Sequence, residues 1–525
     1  MLRTSGRPLE GADRSRAPLG ARLEALLEST NLCVATLVIL IAIGLIALNP
    51  ATLCPDVSGQ FWLAHAMRRG ARLYVDFIEI NPPLWFWMAM PVDWLGELLR
   101  TRTEPVTIAL VALWALVALR GTSRLLEDTD PKARTLFLLY ASAVLLIMPM
   151  HLLFEQREHL ALIAAVPYLA LAARRSKAGG VRPVLAALIG FGGALGFALK
   201  PHFLAVPILT EAWLIYTIRA RYRPFRPENL ILLGSALLYV AAVALVTPEF
   251  FTLVLPHYYP VYKAAAPAFA LSFDVQPLLW FFMLAALAPA WRAIRAGDAP
   301  LTAALLAGFG GFAISYAAQH TGWLYLGIPA TGCLALALGA AVLEAGWPTG
   351  KTRLFYPALM MWPFGFVFVN TGDLKPYTDI RPAFAELRQG DAFGIISTVG
   401  WTSWDDLVHR GLVNSSRNGQ YFMLLALDSH PEQPLVRQVA NEAIHETVLD
   451  YLCLPPKVIV FTRMNRSAKN KYVFTDPYRF FIKDPEFRAM LSHYRLAMQY
   501  GMFDVYKPVT PLPPVDRRRC RNPGA

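Results

Sequence analysis

Long apolar runs recur along the chain from residue 31 to residue 370 and then stop. Several are about 16 residues long, near the lower limit for a helix that crosses a bilayer. The pattern predicts a polytopic α-helical membrane protein. The twelve segments that we mark are 31–49, 83–99, 105–119, 135–153, 160–173, 183–199, 203–218, 229–247, 276–291, 301–318, 324–345 and 354–370.

The loops between these segments alternate in charge. Because loops rich in Lys and Arg stay in the cytoplasm, we expect a basic cytoplasmic tail over 1–30 and an external loop over 50–82. The basic loops are 120–134, 174–182, 219–226, 292–295 and 351–353. The loops poor in Lys and Arg, which we expect outside, are 154–159, 200–202, 248–275 and 319–323.

Full crossings at both 83–99 and 105–119 would place the basic loop 120–134 outside. We therefore predict about eleven crossings, with one of these two segments, preferably 83–99, lying along the outer surface. Its aromatic residues suit a membrane–water interface. This topology places a membrane domain at 31–370 and a C-terminal domain at the outer face of the membrane.

Residues 371–525 are mixed in polarity and predict an external α/β domain. Short β-rich runs occur at 394–399, 457–461 and 502–506, and helical patterns occur near 381–389, 433–451 and 485–496.

Composition supports the membrane class, because 55% of the 525 residues are hydrophobic and only 16% are charged. The formal net charge of +12 is accounted for by cytoplasmic loops, so we expect no nucleic-acid partner. The five cysteines show no metal-ligand spacing, and their odd number predicts no disulfide framework.

The first external loop contains candidate acid–base residues. Asp56 follows the first span, where a partly desolvated carboxylate suits a general base. It could equally cap the amphipathic helix predicted at 57–69. Asp76 and Glu79 allow the same two interpretations. The two prolines at 82–83 predict a helix that starts at Leu84.

The second cluster, at 154–159, places several ionisable residues at a membrane boundary, where they are costly unless paired or used. Arg157 can bind a phosphate bidentately. Glu158 or Glu155 can accept a proton, and Glu158 with Asp56 could bind a divalent cation such as Mg²⁺ or Mn²⁺. Alternatively, Arg157 and Glu158 neutralise each other in a solvated loop.

Two short external turns add further polar groups. Lys200, followed by His202, opposes the charge rule and could bind an anionic headgroup, or it could extend to lipid phosphate. His320 and Tyr325 could donate hydrogen bonds to a phosphate or a sugar, or anchor helix ends at the interface. The long aromatic loop at 248–275 is typical of loops that cover a site.

The order of these motifs resembles the GT-C superfold of integral-membrane glycosyltransferases, in the branch with protein O-mannosyltransferases and lipid A aminoarabinose transferases. The resemblance covers most of 31–345 in layout. This chain departs from the pattern with a glutamate in the second acidic motif, a histidine in the late turn and an asparagine before the prolines. The matching stretches, after Asp56, are GARLYVDFIEINPPLWFW, FEQREH, ALKPHF, QHTGWLYLGIPA and MFDVYKP.

The resemblance implies inverting transfer of a sugar from a polyprenyl-phosphate donor to a polysaccharide, lipid or protein acceptor at the outer membrane face. Asp56 would be the catalytic base and Glu158 would bind metal or acceptor. Arg157, Lys200 and the 319–325 turn would hold the donor phosphate. Such a displacement needs a base on one side and positive charge at the leaving group on the other.

Two other classes remain open on the sequence. A transporter or flippase of lipid-linked sugars would have polar groups at mid-membrane and repeated halves, which the sequence does not show. A non-catalytic component of a polysaccharide assembly machine would leave Asp56 dispensable.

Overall fold

The computed structural model describes the chain in segments. The described residues are 29–48, 55–150, 153–266, 277–319, 324–347, 353–365, 380–398, 404–463, 475–516, 518 and 520.

The N-terminal two thirds of the chain is helical, and eleven of the twelve predicted apolar segments match a helix along most of their length. In the twelfth, 354–370, the structure has only a six-residue helix and a short 3₁₀ turn, and residues 366–370 lie outside the described residues. Within the described residues, six helical segments are long and apolar enough to cross a membrane: Thr30–Ala47, Thr103–Leu125, Pro201–Arg221, Pro227–Val246, Pro300–Gln319 and Tyr325–Ala345. The protein is therefore an integral membrane protein, while the number of crossings remains a prediction. The helices are α1 Thr30–Leu48, α2 Pro55–Arg68, α3 Leu84–Leu98, α4 Thr103–Leu125, α5 Pro131–Leu146, α6 Arg157–Ser176, α7 Pro183–Phe197, α8 Ala205–Ile218, α9 Pro227–Val246, α10 Tyr259–Ala265, α11 Pro277–Ala296, α12 Pro300–Gln319, α13 Ile328–Ala345 and α14 Tyr356–Met361.

Helix α6 lies at the centre of the bundle and contacts α4, α5, α7, α8, α12 and α13. Its residues from Arg157 to Ala173 are all buried. A Cβ atom at Gly196 of α7 would lie only 2.3 Å from the Cβ of Ala164, so a glycine is needed where these two helices cross. This packing fixes the N-terminus of α6, which carries Arg157 and Glu158, inside the protein.

Helix α2 lies within the predicted first external loop, 50–82, and packs against α3, which corresponds to the segment 83–99. Arg68 of α2 bonds Asp93 of α3 at 2.5 Å, and His65 lies 3.2 Å from the same carboxylate. Helix α3 starts at Leu84, as the prolines predict, and has 15 residues. Its length of about 22 Å is similar to that of α7 and α8, so the expectation that 83–99 is not a full crossing stays a prediction.

The C-terminal region contains one five-stranded sheet in the order β2-β1-β3-β5-β4. β1 pairs in parallel with β2 and β3, while β5 pairs antiparallel with β3 and β4. The strands are β1 Ala392–Ile396, β2 Val413–Asn414, β3 Val458–Thr462, β4 Tyr494–Tyr500 and β5 Phe503–Pro508. The helices are α15 Trp404–His409, α16 Phe422–Ser429, α17 Pro434–Cys453, α18 Tyr478–Phe481 and α19 Pro485–Leu491.

The three predicted strands match β1, β3 and β5, and the helix predicted at 433–451 matches α17. Two helix predictions were wrong in extent. The segment 381–389 forms only a 3₁₀ turn over Arg381–Phe384. The helix predicted at 485–496 ends at Leu491, and β4 follows it. Residues 495–499 of this edge strand are all exposed, so they lack the apolar alternation of a half-buried strand.

A disulfide joins Cys453, at the end of α17, to Cys520, with their Cα atoms 5.6 Å apart. The odd number of cysteines predicted no disulfide framework, but it still allows this single pair, which the sequence did not predict. Cys33 and Cys333 are buried.

The C-terminal domain packs against loops of the membrane domain. Helix α10 packs on α16, and α15 packs on α2. The rings of Tyr262 and Phe422 lie 5.8 Å apart. Arg102 bonds Asp406 at 3.2 Å. The aromatic segment before the undescribed residues 267–276 is thus held between the two domains.

Candidate functional site

A buried ion pair lies where α6 begins. Lys200, in the turn between α7 and α8, donates to Glu158 Oε1 at 2.5 Å and to Gln319 Oε1 at 2.9 Å. Its Nζ lies 5.6 Å from the ring centre of Tyr325. Lys200 is only 8% exposed and Glu158 is fully buried. Glu158 is thus paired with Lys200 rather than with Arg157, and Lys200 is anchored within the protein.

Arg157 is held by different groups. Its Nη1 donates to Asn81 Oδ1, and its guanidinium lies 4.6 Å from the ring centre of Trp85. The side chain is 4% exposed. Its Nε is buried and has no hydrogen-bond partner among the residues that the structure describes. Arg157 therefore keeps a buried N–H available for a ligand.

Glu79 organises the loop that holds Arg157. Glu79 Oε1 accepts hydrogen bonds from the N–H groups of Ile80 and Asn81 at 2.8 and 2.9 Å, and from Asn81 Nδ2 at 2.7 Å. Burial raises the pKa of Glu79, while these hydrogen bonds and the charge of Arg157 oppose that shift. Glu79 thus orients Asn81, and Asn81 orients Arg157.

Asp56 lies in the first turn of α2 and is half-buried. A carboxylate in this turn interacts favourably with the helix dipole. Asp56 interacts electrostatically with Lys200, Tyr262 and Tyr325. Tyr262 also interacts with Arg157 and Glu79. These interactions link four of the predicted residues, Asp56, Glu79, Arg157 and Lys200, in one cluster.

A second lysine adds to the positive charge. Lys263 of α10 donates to the backbone oxygen of Gln319 at 2.8 Å. His202 interacts electrostatically with both Lys200 and Lys263. Burial lowers the pKa of Lys200 to about 8 and also lowers the pKa of Lys263. Gln319 thus links two lysines whose ammonium groups are partly removed from water.

Two other predicted acidic residues make local contacts in the described structure. Asp76 accepts a hydrogen bond from the N–H of Arg72 at 2.7 Å and closes its own turn. Glu155 adopts a left-handed backbone conformation, with φ of +61°. Its N–H donates to His159 Nδ1 at 3.0 Å. His320 lies outside the described residues.

Sequence reasoning did not assign Asn81, Gln319, Tyr262 or Lys263 to the site. Asn81 stood within the quoted loop motif, and Gln319 was the first residue of the late turn, so each had a weak signal. Tyr262 and Lys263 lay in the aromatic loop that was expected to cover a site. A neutral amide has no charge that would single it out in a sequence.

The residues present do not fit a metal centre. Among the described residues, no group of three His, Cys, Asp or Glu side chains could hold an ion. The carboxylate of Glu158, proposed with Asp56 as a ligand, is instead paired with Lys200. We therefore derive no step through a metal.

No known family profile matches the sequence, and no curated protein matches it. Solved structures do match. ArnT from Cupriavidus metallidurans bound to undecaprenyl phosphate aligns over 90% of this chain and 97% of its own, with a TM-score of 0.53 and 12% identity. The oligosaccharyltransferase AglB from Archaeoglobus fulgidus, in complex with an inhibitory peptide and a dolichol-phosphate, aligns over 82% of this chain and 69% of its own. The identity is 15% and the TM-score is only 0.42. The chain therefore shares the fold of ArnT over most of its length, as expected from the resemblance to the GT-C superfold.

Proposed function

We propose that the protein is an inverting glycosyltransferase that moves a sugar from a polyprenyl-phosphate donor to a hydroxyl of an envelope polysaccharide, lipid or protein. The observation that carries the proposal is one cluster that contains an unbonded carboxylate, Asp56, and two buried cations, Arg157 and Lys200. No described residue hydrogen-bonds the Asp56 carboxylate. A base beside positive charge is what displacement of a phosphate by a hydroxyl requires.

In the proposed reaction, Asp56 takes the proton of the acceptor hydroxyl as its oxygen attacks the anomeric carbon. The bond between that carbon and the phosphate oxygen breaks, and the lipid phosphate leaves with the bonding electrons. Lys200 has three N–H donors, and two of them donate to Glu158 and Gln319, so one remains for the leaving phosphate. The Nε of Arg157 supplies a second donor.

Glu158 and Gln319 have a preparatory role in this proposal. A lysine without partners in a dry site would lose its proton or turn away. The Glu158 carboxylate favours the charged ammonium, and Gln319 fixes its direction. Lys200 therefore presents its remaining donor without reorganisation, the property that makes electrostatic stabilisation effective in catalysis.

We also propose that residues 1–30 are cytoplasmic, that 31–370 form the catalytic membrane domain, and that 371–525 lie outside a bacterial inner membrane. The disulfide between Cys453 and Cys520 supports this orientation. Disulfides persist in the periplasm and are rare in the reducing cytoplasm.

The test is to incubate the purified protein with a panel of polyprenyl-phosphate sugars and measure sugar-dependent release of lipid phosphate. We expect Asp56→Asn to lower the rate by roughly 10²–10⁴-fold, the usual contribution of a general base. Asp76→Asn is the matched control, because Asp76 belongs to the same loop but bonds only its own turn in the described structure. It should keep the wild-type rate.

Two results would contradict the proposal. Wild-type turnover by the Asp56→Asn variant would remove the base. Movement of labelled donor across vesicles without release of lipid phosphate would identify a flippase, which leaves the bond between sugar and phosphate intact.

A further inference from the structure

Three acidic residues of α17 form a line along one face of the helix. Glu442, Glu446 and Asp450 are spaced four residues apart, so their side chains lie on the same side. We call these three residues the acidic stripe. Glu442 bonds His257 Nε2 at 2.8 Å. Glu446 and Asp450 both bond Arg417. The stripe thus holds the segment that precedes α10 and a loop of its own domain.

Arg417 is fixed by several hydrogen bonds at once. Its Nη1 donates to Glu446 at 2.9 Å, and its Nη2 donates to Asp450 Oδ1 at 2.9 Å. The backbone N–H and Nε of Arg417 both donate to Asp450 Oδ2, at 2.9 and 3.2 Å. A fork of this kind restricts both the side chain and the backbone.

The fixed backbone of Arg417 is joined to the first external loop. Its carbonyl oxygen accepts the N–H of Ile78 at 3.0 Å, and Ile78 pairs with Asn418 in a parallel bridge. On the same loop, Phe77 packs edge-to-face on Trp62, with ring centres 5.0 Å apart. The backbone of the loop is therefore held by the C-terminal domain directly before Glu79.

A chain of contacts leads from Ile78 to Arg157. Glu79, the next residue, binds the N–H and the amide of Asn81, and Asn81 accepts from Arg157. Tyr74 also holds Asn81, donating to its carbonyl oxygen at 2.5 Å. Moving Ile78 would therefore move the group that orients the Arg157 guanidinium.

We propose that Arg417 is a positioning residue for the donor site. Clamped by Glu446 and Asp450, it fixes Ile78 and, through Glu79 and Asn81, the direction in which Arg157 meets the donor phosphate. The proposal rests on the function given above, because it assumes that Arg157 binds that phosphate.

The test is a double-mutant cycle on the KM for the polyprenyl-phosphate sugar. We expect Arg417→Ala to raise this KM about tenfold, the usual effect of losing a hydrogen bond to a charged group, and to change kcat by less than about twofold. Arg157→Ala should raise it at least as much. The double variant should match Arg157→Ala alone, because coupled residues are not additive.

Arg463→Ala is the matched control. Arg463 lies in the same domain and also pairs with two carboxylates, those of Asp476 at 3.2 Å and Asp504 at 3.3 Å. It has no described contact with the first external loop. Its loss should lower the unfolding temperature about as much as the loss of Arg417, without changing the donor KM.

The outcomes separate the two proposals. If Arg157→Ala leaves the donor KM unchanged, the phosphate contact in the proposed function is wrong. If Arg157→Ala raises the KM but Arg417→Ala does not, or if the two effects multiply, the positioning role is wrong. If Arg417→Ala does not fold, Arg417→Lys replaces it in the cycle, since lysine keeps the charge and loses the fork. An unchanged donor KM in Arg417→Lys, or effects of Arg417→Lys and Arg157→Ala that multiply, would likewise show that the positioning role is wrong.

Discussion

Replacing Lys200 with methionine separates the contribution of its ion pair to stability from its contribution to donor binding. Methionine keeps the apolar length of the side chain and removes the ammonium. At the observed 2.5 Å between Nζ and Glu158 Oε1, the gross attraction is about 7 kcal/mol with an effective dielectric constant of about 20. Desolvation of both charges offsets much of it, and breaking a buried pair usually costs about 3–5 kcal/mol.

The second step of this prediction is to remove the stranded carboxylate as well. Lys200→Met leaves Glu158 fully buried without its counter-charge. In the double variant Lys200→Met/Glu158→Gln neither charge remains. We therefore expect the double variant to recover all but about 1 kcal/mol of the lost stability, because replacing both members of a buried pair is often nearly neutral.

Donor binding should not recover in the same way. We expect the KM for the polyprenyl-phosphate sugar to stay raised, by about tenfold or more, in both the single and the double variant. Unfolding in detergent, followed together with steady-state kinetics, measures both quantities. A double variant that regains stability and also regains the wild-type KM would show that Lys200 only neutralises Glu158 and does not contact the donor.

Two further predictions concern pH and topology. Because burial lowers the pKa of Lys200 to about 8, kcat/KM for the donor should fall about tenfold for each pH unit above 8, and Lys200→Arg should remove this fall. The same group should make folding more favourable as pH rises from about 8 to 10.5, since the unfolded chain then binds the proton that the folded chain has lost. For topology, a membrane-impermeant reductant followed by an impermeant maleimide should label Cys453 and Cys520 in intact cells; labelling that requires lysis would place the C-terminal domain inside.

The helical part of the fold could be predicted from sequence because a membrane span leaves a long, simple signal. A long apolar run has few alternative explanations, and the start of α3 at Leu84 followed from the prolines before it. The fold of the C-terminal domain was harder to predict from sequence. Its edge strand β4 has five exposed residues in succession, so its formation depends on pairing with β5 rather than on any pattern of its own.

Most members of the candidate site that could be predicted are charged, although Lys263 was missed and the uncharged Tyr325 was found. Charged residues in short external loops stand out against apolar neighbours, which is how Arg157, Glu158 and Lys200 were found. Gln319 and Asn81 are neutral, and their importance comes from the two groups that each one joins. Such a bridging role exists only once the chain is folded, so no local sequence pattern reveals it.

Helix packing explains why charges from distant loops meet in one place. The turns at 154–156 and 198–204 and the end of α12 all adjoin helices that contact α6. If these turns open to the same side of the membrane, as the loop charges predict, contact between the helices brings their ends within reach of one another's side chains. Asp76 had no such constraint, because its turn closes on itself. For Arg157, Glu158 and Lys200 the useful signal is therefore a charge in a short loop between packed helices. Asp56 and Glu79 lie in the long first loop, where charge alone does not distinguish them from Asp76.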